Sequence, residues 1–222
     1  SLKLFGFDGT DLHNDTHVGA SGMVLDFGAD LDGDGDMDIL SASHADDKIL
    51  MYENDGNEDF STVEIGTADG ANSVYAADVD SDGDMDVLSA STEDDRIAWY
   101  ENTGNARFTT HTIMPQRAGG RSPGAKHARS VFAIDTDGDG DMDLFLSNVL
   151  LFQKHEPVQQ LLINDGKGYF NDETASRMDI ETETGFVDSD FADLDKDGDL
   201  DLIMGGFGGL KILENDGNGT VK

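Results

Sequence analysis

The sequence predicts an all-β protein assembled from four repeats, and three observations carry that prediction. A nine-residue acidic loop, D-x-D-x-D-G-D-x-D, occurs at residues 30–38, 78–86, 135–143 and 193–201. An Asn-x-Gly turn follows each loop, beginning at Asn54, Asn102, Asn164 and Asn215, with Phe60, Phe108, Phe170 and Val221 four residues after the turn glycine. Apolar runs of strand length flank every loop, and no segment carries a convincing helical period. The loops start 48, 57 and 58 residues apart, a spacing typical of repeat architectures.

Each repeat yields four strands. First strands are expected at 24–29, 73–77, 130–134 and 187–192, ending where the loop begins. Second strands follow at 37–42, 85–90, 142–146 and 200–204, and their consecutive apolar residues suit strands covered on both faces. Third strands at 49–53, 97–101, 161–163 and 210–214 lead into the Asn-x-Gly turns, whose Asn and Gly tolerate positive φ. A fourth strand begins at or near each Phe. Four short antiparallel strands per unit make the blade of a β-propeller. A β-sandwich fits less well, because sandwiches do not repeat their loops at a near-fixed period. The units divide as an N-terminal segment at 1–23, blades at 24–66, 67–114, 130–184 and 185–222, and a basic insertion at 115–129.

Small residues stand two positions before the first three loops (Gly28, Ala76 and Ala133), as expected of a crowded inner strand. The fourth unit has Phe191 there, and Asp190 where the others have Phe27, Tyr75 and Phe132. Its inner strand is therefore expected to be bulged or shifted by one. The fourth unit also stops barely into its outer strand, which the stretch LKLFGF (2–7) is a candidate to supply. Four units would close a small propeller; a fragment, or a ring completed by another copy, is the alternative.

The loops hold twenty of the 47 acidic side chains in a chain of net charge −33. Such clusters repel themselves unless a hard divalent cation neutralises them, which points to calcium, about one ion per loop. Magnesium, with its strict octahedral demand, suits an all-protein loop less well. An EF-hand needs Glu at position 12 and flanking helices; here position 12 is Ser41, Ser89, Leu146 and Met204, and the flanks are strands. Candidate ligands in the first loop are Asp30, Asp32, Asp34 and Asp38 through side chains and Asp36 through its main-chain oxygen. The corresponding sets are Asp78, Asp80, Asp82, Asp84 and Asp86; Asp135, Asp137, Asp139, Asp141 and Asp143; and Asp193, Asp195, Asp197, Asp199 and Asp201. Position 6 is always Gly, where the loop turns sharply.

Residues 74–108, VYAADVDSDGDMDVLSASTEDDRIAWYENTGNARF, carry these markers together. In them the chain resembles the FG-GAP/VCBS family of calcium-binding β-propeller repeats, related to the integrin α-subunit propeller, over about residues 24–221. The resemblance implies a loop joining the first and second strands of each blade, with calcium on one face.

The charge argues against nucleic acid and anionic membrane surfaces, and no apolar run approaches a membrane span. No cysteine is present, so neither disulfides nor thiol chemistry enter. No signal peptide is visible, and a chain beginning at Ser1 reads as a mature form or a fragment. Arg117, Arg121, Lys126 and Arg129 sit together in the basic insertion and are candidates for an acidic or sulfated glycan, against a plain charge-balancing loop. A second insertion lies at 147–159. His13 and His17 have a zinc-like spacing only if helical, which their Gly- and Asn-rich surroundings oppose. Trp99 is expected in the core, with a sugar-stacking platform as the alternative. No nucleophile motif or phosphate loop appears, and no enzyme is expected. The sequence thus points to a secreted or cell-surface calcium-binding module for adhesion or scaffolding, recognising protein or carbohydrate, as a possible homo-oligomer or part of a larger parent chain. The alternatives are a catalytic propeller such as a polysaccharide lyase using residues 117–127, or a purely structural element.

Overall fold

A computed structural model describes residues 23–57, 59–114, 128–148, 159–179, 186–206 and 209–222. They form four antiparallel sheets in chain order. The first is β1 (Met23–Ala29), β2 (Asp38–Ser43), β3 (Lys48–Asn54) and β4 (Phe60–Thr67). The second is β5 (Ala71–Ala77), β6 (Asp86–Ser91), β7 (Arg96–Asn102) and β8 (Phe108–Met114). The third is β9 (Ala128–Ile134), β10 (Asp143–Asn148), β11 (Gln159–Asn164) and β12 (Phe170–Asp172), followed by a single helical turn, α1 (Thr174–Arg177). The fourth has three strands, β13 (Phe186–Ala192), β14 (Asp201–Gly206) and β15 (Gly209–Leu213). Its outer strand is represented among the described residues only by a bridge from Asn215 to Val221, which also bridges to Met178 of the third unit.

Each acidic loop is the connection between the first and second strands of its sheet. The same pair closes it every time: Ala29 with Asp38, Ala77 with Asp86, Ile134 with Asp143 and Ala192 with Asp201. The fourth inner strand is therefore not shifted. Its irregularity, between Phe186 and Asp188, falls where β5 has its own, between Ala71 and Ser73. Phe191 takes the place of a small residue because it meets Phe145 of the third sheet edge-on, ring centroids 5.5 Å apart.

The second strands are buried on both faces, as their unbroken apolar runs require: every residue of β6 is buried. Alternate residues of one strand enter different cores. On β7, Ala98 and Tyr100 pack with the first sheet, whereas Ile97 and Trp99 pack with the third. A third cluster, centred on Phe145, Leu202, Met204 and Leu213, joins the third sheet to the fourth. Trp99 is thus an interior residue. It lies under Gly168, where a Cβ would collide with the indole, and stacks on His111 at 4.6 Å. It offers no sugar platform.

Candidate metal centre

In every loop the backbone folds around the first Asp. Asp30 accepts hydrogen bonds from the N–H groups of Gly33 (2.9 Å) and Gly35 (3.0 Å), and Asp135 accepts from Gly138 and Gly140 in the same way. Asp78 accepts from Asp82 and Gly83, and Asp193 from Lys196. The position-5 carboxylates receive the position-7 N–H: Asp36 to Asp34, Asp84 to Asp82, Asp141 to Asp139 and Asp199 to Asp197. Glycine at position 6 is required by the turn itself, with φ between +96° and +105° in all four loops.

These turns draw carboxylate oxygens together. Four groups, each with three oxygens within 4.8 Å of one another, are Asp30/Asp32/Asp38, Asp78/Asp80/Asp86, Asp135/Asp137/Asp139 and Asp193/Asp195/Asp197, one per sheet. An all-oxygen, all-carboxylate set at this spacing fits a hard cation such as Ca2+. Among the described residues, one buried oxygen each of Asp80 and Asp137 has no hydrogen-bond partner, which a bound cation would supply. Of the residues expected from the sequence, Asp34, Asp82, Asp143 and Asp201 lie outside these groups. So do Asp36, Asp84, Asp141 and Asp199 at position 7, the position expected to offer a main-chain oxygen. The position-7 carboxylates instead lie against the turn glycines: a Cβ on Gly56, Gly166 or Gly217 would strike Asp36, Asp141 or Asp199.

The last Asp of each loop fastens the loop to a second turn, a role with no signal in the sequence. Buried Asp86 accepts from Val79 N–H (3.0 Å) with one oxygen and from Asn102 N–H (2.7 Å) with the other. Asp38, Asp143 and Asp201 repeat this with Leu31 and Asn54, Thr136 and Asn164, and Leu194 and Asn215. The acidic loop is thereby fastened to the Asn-x-Gly turn. The Asn then reaches out of its own sheet. Its side-chain amide donates to position 2 of the preceding loop: Asn102 to Leu31 O (2.7 Å), Asn164 to Val79 O (2.8 Å) and Asn215 to Thr136 O (3.0 Å). This corrects the expectation for the turn. Only its Gly has positive φ; the Asn is needed for its amide, which also donates to the position-8 carbonyl.

Burial sets the electrostatics of the latch. It pushes the Asp86 carboxyl up to about 6 and raises Asp38 and Asp143 as well, against the opposite pull of the backbone N–H donors. A carboxyl raised in the folded state stabilises the fold below its unfolded value, about 3.9, and that contribution is lost as pH rises through the folded value. In chelator, thermal melts should therefore show these groups weakening the fold as pH rises above about 4, with the loss from Asp86 spread over the interval up to its folded value of about 6 and complete just above it. With calcium bound the trend should reverse, since the ion favours the charged form. A calcium-induced rise in Tm that shrinks over this pH interval would contradict that.

The third loop carries an additional cation. Arg177 of α1 donates to Asp137 (3.1 Å), to Glu173 (2.6 Å) and to the carbonyl of Asn218 in the fourth unit's turn (2.8 Å). It bridges two blades and competes for one candidate ligand. Arg177→Gln should tighten calcium binding at this loop by roughly three- to tenfold, the effect of removing one charge a few ångströms away in a partly solvated site, while lowering stability in chelator. Titration calorimetry and melts on the same sample read both. The one-turn helix and its Arg had no periodic signal in the sequence.

Arg117, Arg121 and Lys126, with His13, His17, residues 2–7 and residues 149–158, fall outside the described residues. Arg129 lies on β9, and nothing is described of its side chain.

The FG-GAP-like repeat model matches residues 30–89 and 78–146, more than half of the sequence. The chain belongs to the FG-GAP-like repeat family. Among curated proteins no sequence matches it. Among solved structures this FG-GAP-like chain is similar to an Agrocybe aegerita lectin described as recognising non-reducing terminal N-acetylglucosamine (TM-score 0.61, 18% identity, 90% of this chain and 50% of that one). It is also similar to BBS1N from a complex with ARL6DN (TM-score 0.56, 13% identity, 92% and 56%). A third is the Photorhabdus luminescens Tc holotoxin pore (TM-score 0.53, 16% identity, 96% and 10%). At these identities the likeness is one of fold. The chain spans about half the length of the first two.

Proposed function

We propose that this chain is a calcium-stabilised propeller module that presents a recognition surface for carbohydrate or protein outside the cell. One observation supports the reading above the others: in the second loop Asp86 belongs to the carboxylate group and also holds Asn102, whose amide reaches the first blade. A cation in the loop would therefore act on the blade-to-blade contact, making rigidity of the disc depend on calcium. Such dependence suits the extracellular medium, where modules of this kind bind calcium at about 10⁻⁴–10⁻³ M. It suits a scaffold for binding loops rather than a catalytic centre, and we assign the chain no enzymatic activity. The lectin likeness makes glycans the first ligands to test. On a glycan array in calcium, the full chain should bind a discrete set of structures and lose them in EDTA. Depolymerisation of an acidic polysaccharide by the same sample would overturn the reading in favour of a lyase.

A further inference from the structure

The first three blades bury the same positions against the blade that follows. Loop position 2 (Leu31, Val79, Thr136) and its two third-strand neighbours (Ile49 and Met51 in the first blade, Ile97 and Trp99 in the second) are each 5% exposed or less. In the fourth blade the equivalents are Leu194, Leu210 and Ile212, exposed at 46%, 71% and 48%. The polar half of the contact is also open. The carbonyls of Leu31, Val79 and Thr136 each accept an Asn amide from the next blade, but among the described residues none reaches Leu194 O. Nor does any of the three apolar clusters join the fourth blade to the first among those residues.

We infer that this face of the fourth blade is a docking surface for a further blade of the same repeat. Its occupant is defined by the contact the chain makes three times already. It is a sheet whose inner and third strands cover Leu210 and Ile212, and whose Asn-x-Gly turn extends its side-chain amide to Leu194 O. Three neighbouring apolar side chains left in water on one strand-and-loop face form the kind of patch that marks an interaction site.

The absence of cysteine makes the test direct. Ile212→Cys and Leu194→Cys each place one thiol on the face, and the rate of labelling by a small thiol reagent reports its exposure. Three forms are compared in calcium: the full chain, the chain extended after Lys222 by a copy of residues 62–67 (an outer strand alone), and the chain extended by a copy of residues 62–114 (outer strand plus a whole blade). Mass is read by light scattering and folding by circular dichroism. The inference expects the whole-blade extension, and not the strand alone, to slow labelling at both positions by at least about tenfold, as for a site reached only through local opening. Changing the copied Asn102 to Ala in that extension should restore part of the rate. Equal labelling in the two extended chains would overturn it. So would slow labelling in the unextended chain, either as a monomer, meaning its own first blade covers the face, or as a dimer, meaning a second copy does.

Discussion

Asn164→Ala is expected to destabilise the protein by about 2–5 kcal/mol, the cost of leaving buried carbonyls without donors. The substitution removes the amide that serves Val79 O in one blade and Met142 O in its own, both on the buried side of the turn, and the acceptor for Gly168 N–H. Asn54 supplies the control. It occupies the same turn position, but among the described residues its amide donates only to Met37 O, and its oxygen accepts from Gly56 N–H. Asn54→Ala should therefore cost about 1 kcal/mol, one ordinary hydrogen bond. Urea melts of both variants in calcium measure the difference. Equal losses would mean that the Asn matters only within its own blade, and the inter-blade latch would not be an energetic feature.

Asp80→Asn should change sign with the solvent. In chelator, Asp80 is a partly buried carboxylate whose pKa is raised by desolvation and by Asp82, and one of its oxygens has no partner among the described residues. Removing its charge should leave the metal-free fold unchanged or slightly more stable. In calcium the same change weakens the second loop's site and forfeits its binding free energy, about 2.7 kcal/mol if the ion stands a hundredfold above its dissociation constant. Melting curves of the variant and parent, with calcium and with chelator, give the four numbers needed. A loss of equal size in both solvents would make Asp80 a plain structural residue and remove it from the metal centre.

Much of this was legible in the residues. The loop spells out its own charge problem, and the period and the Asn-x-Gly marker locate four blades without any tertiary information. What the sequence could not separate were roles within the loop. Positions 1, 3, 5, 7 and 9 are all Asp, so composition gives no reason to prefer one. Position 7 leans on a glycine of another turn and position 9 fastens that turn, and both depend on how the third strand returns to the loop. The role of the Asn is hidden in the sequence for a related reason. A local φ argument explains an Asn beside Gly, whereas its partner stands about 70 to 85 residues away on another sheet. Arg177 was invisible because it acts from a single helical turn.

The turn glycines support the same geometry. Gly166→Ala must place a Cβ at φ +74° against Asp141, and an alanine there should cost about 1–2 kcal/mol from the left-handed backbone alone. Gly205 has open space around it and no positive φ, so Gly205→Ala should be tolerated. Thermal denaturation of the pair separates conformational demand from mere glycine content.

Calcium titration into chelator-stripped full chain, followed by calorimetry together with a melt at each point, bears most directly on the account. It predicts saturable binding of about one ion per acidic loop and a Tm that climbs with occupancy. No binding heat, with one melting temperature in calcium and in EDTA, would contradict it.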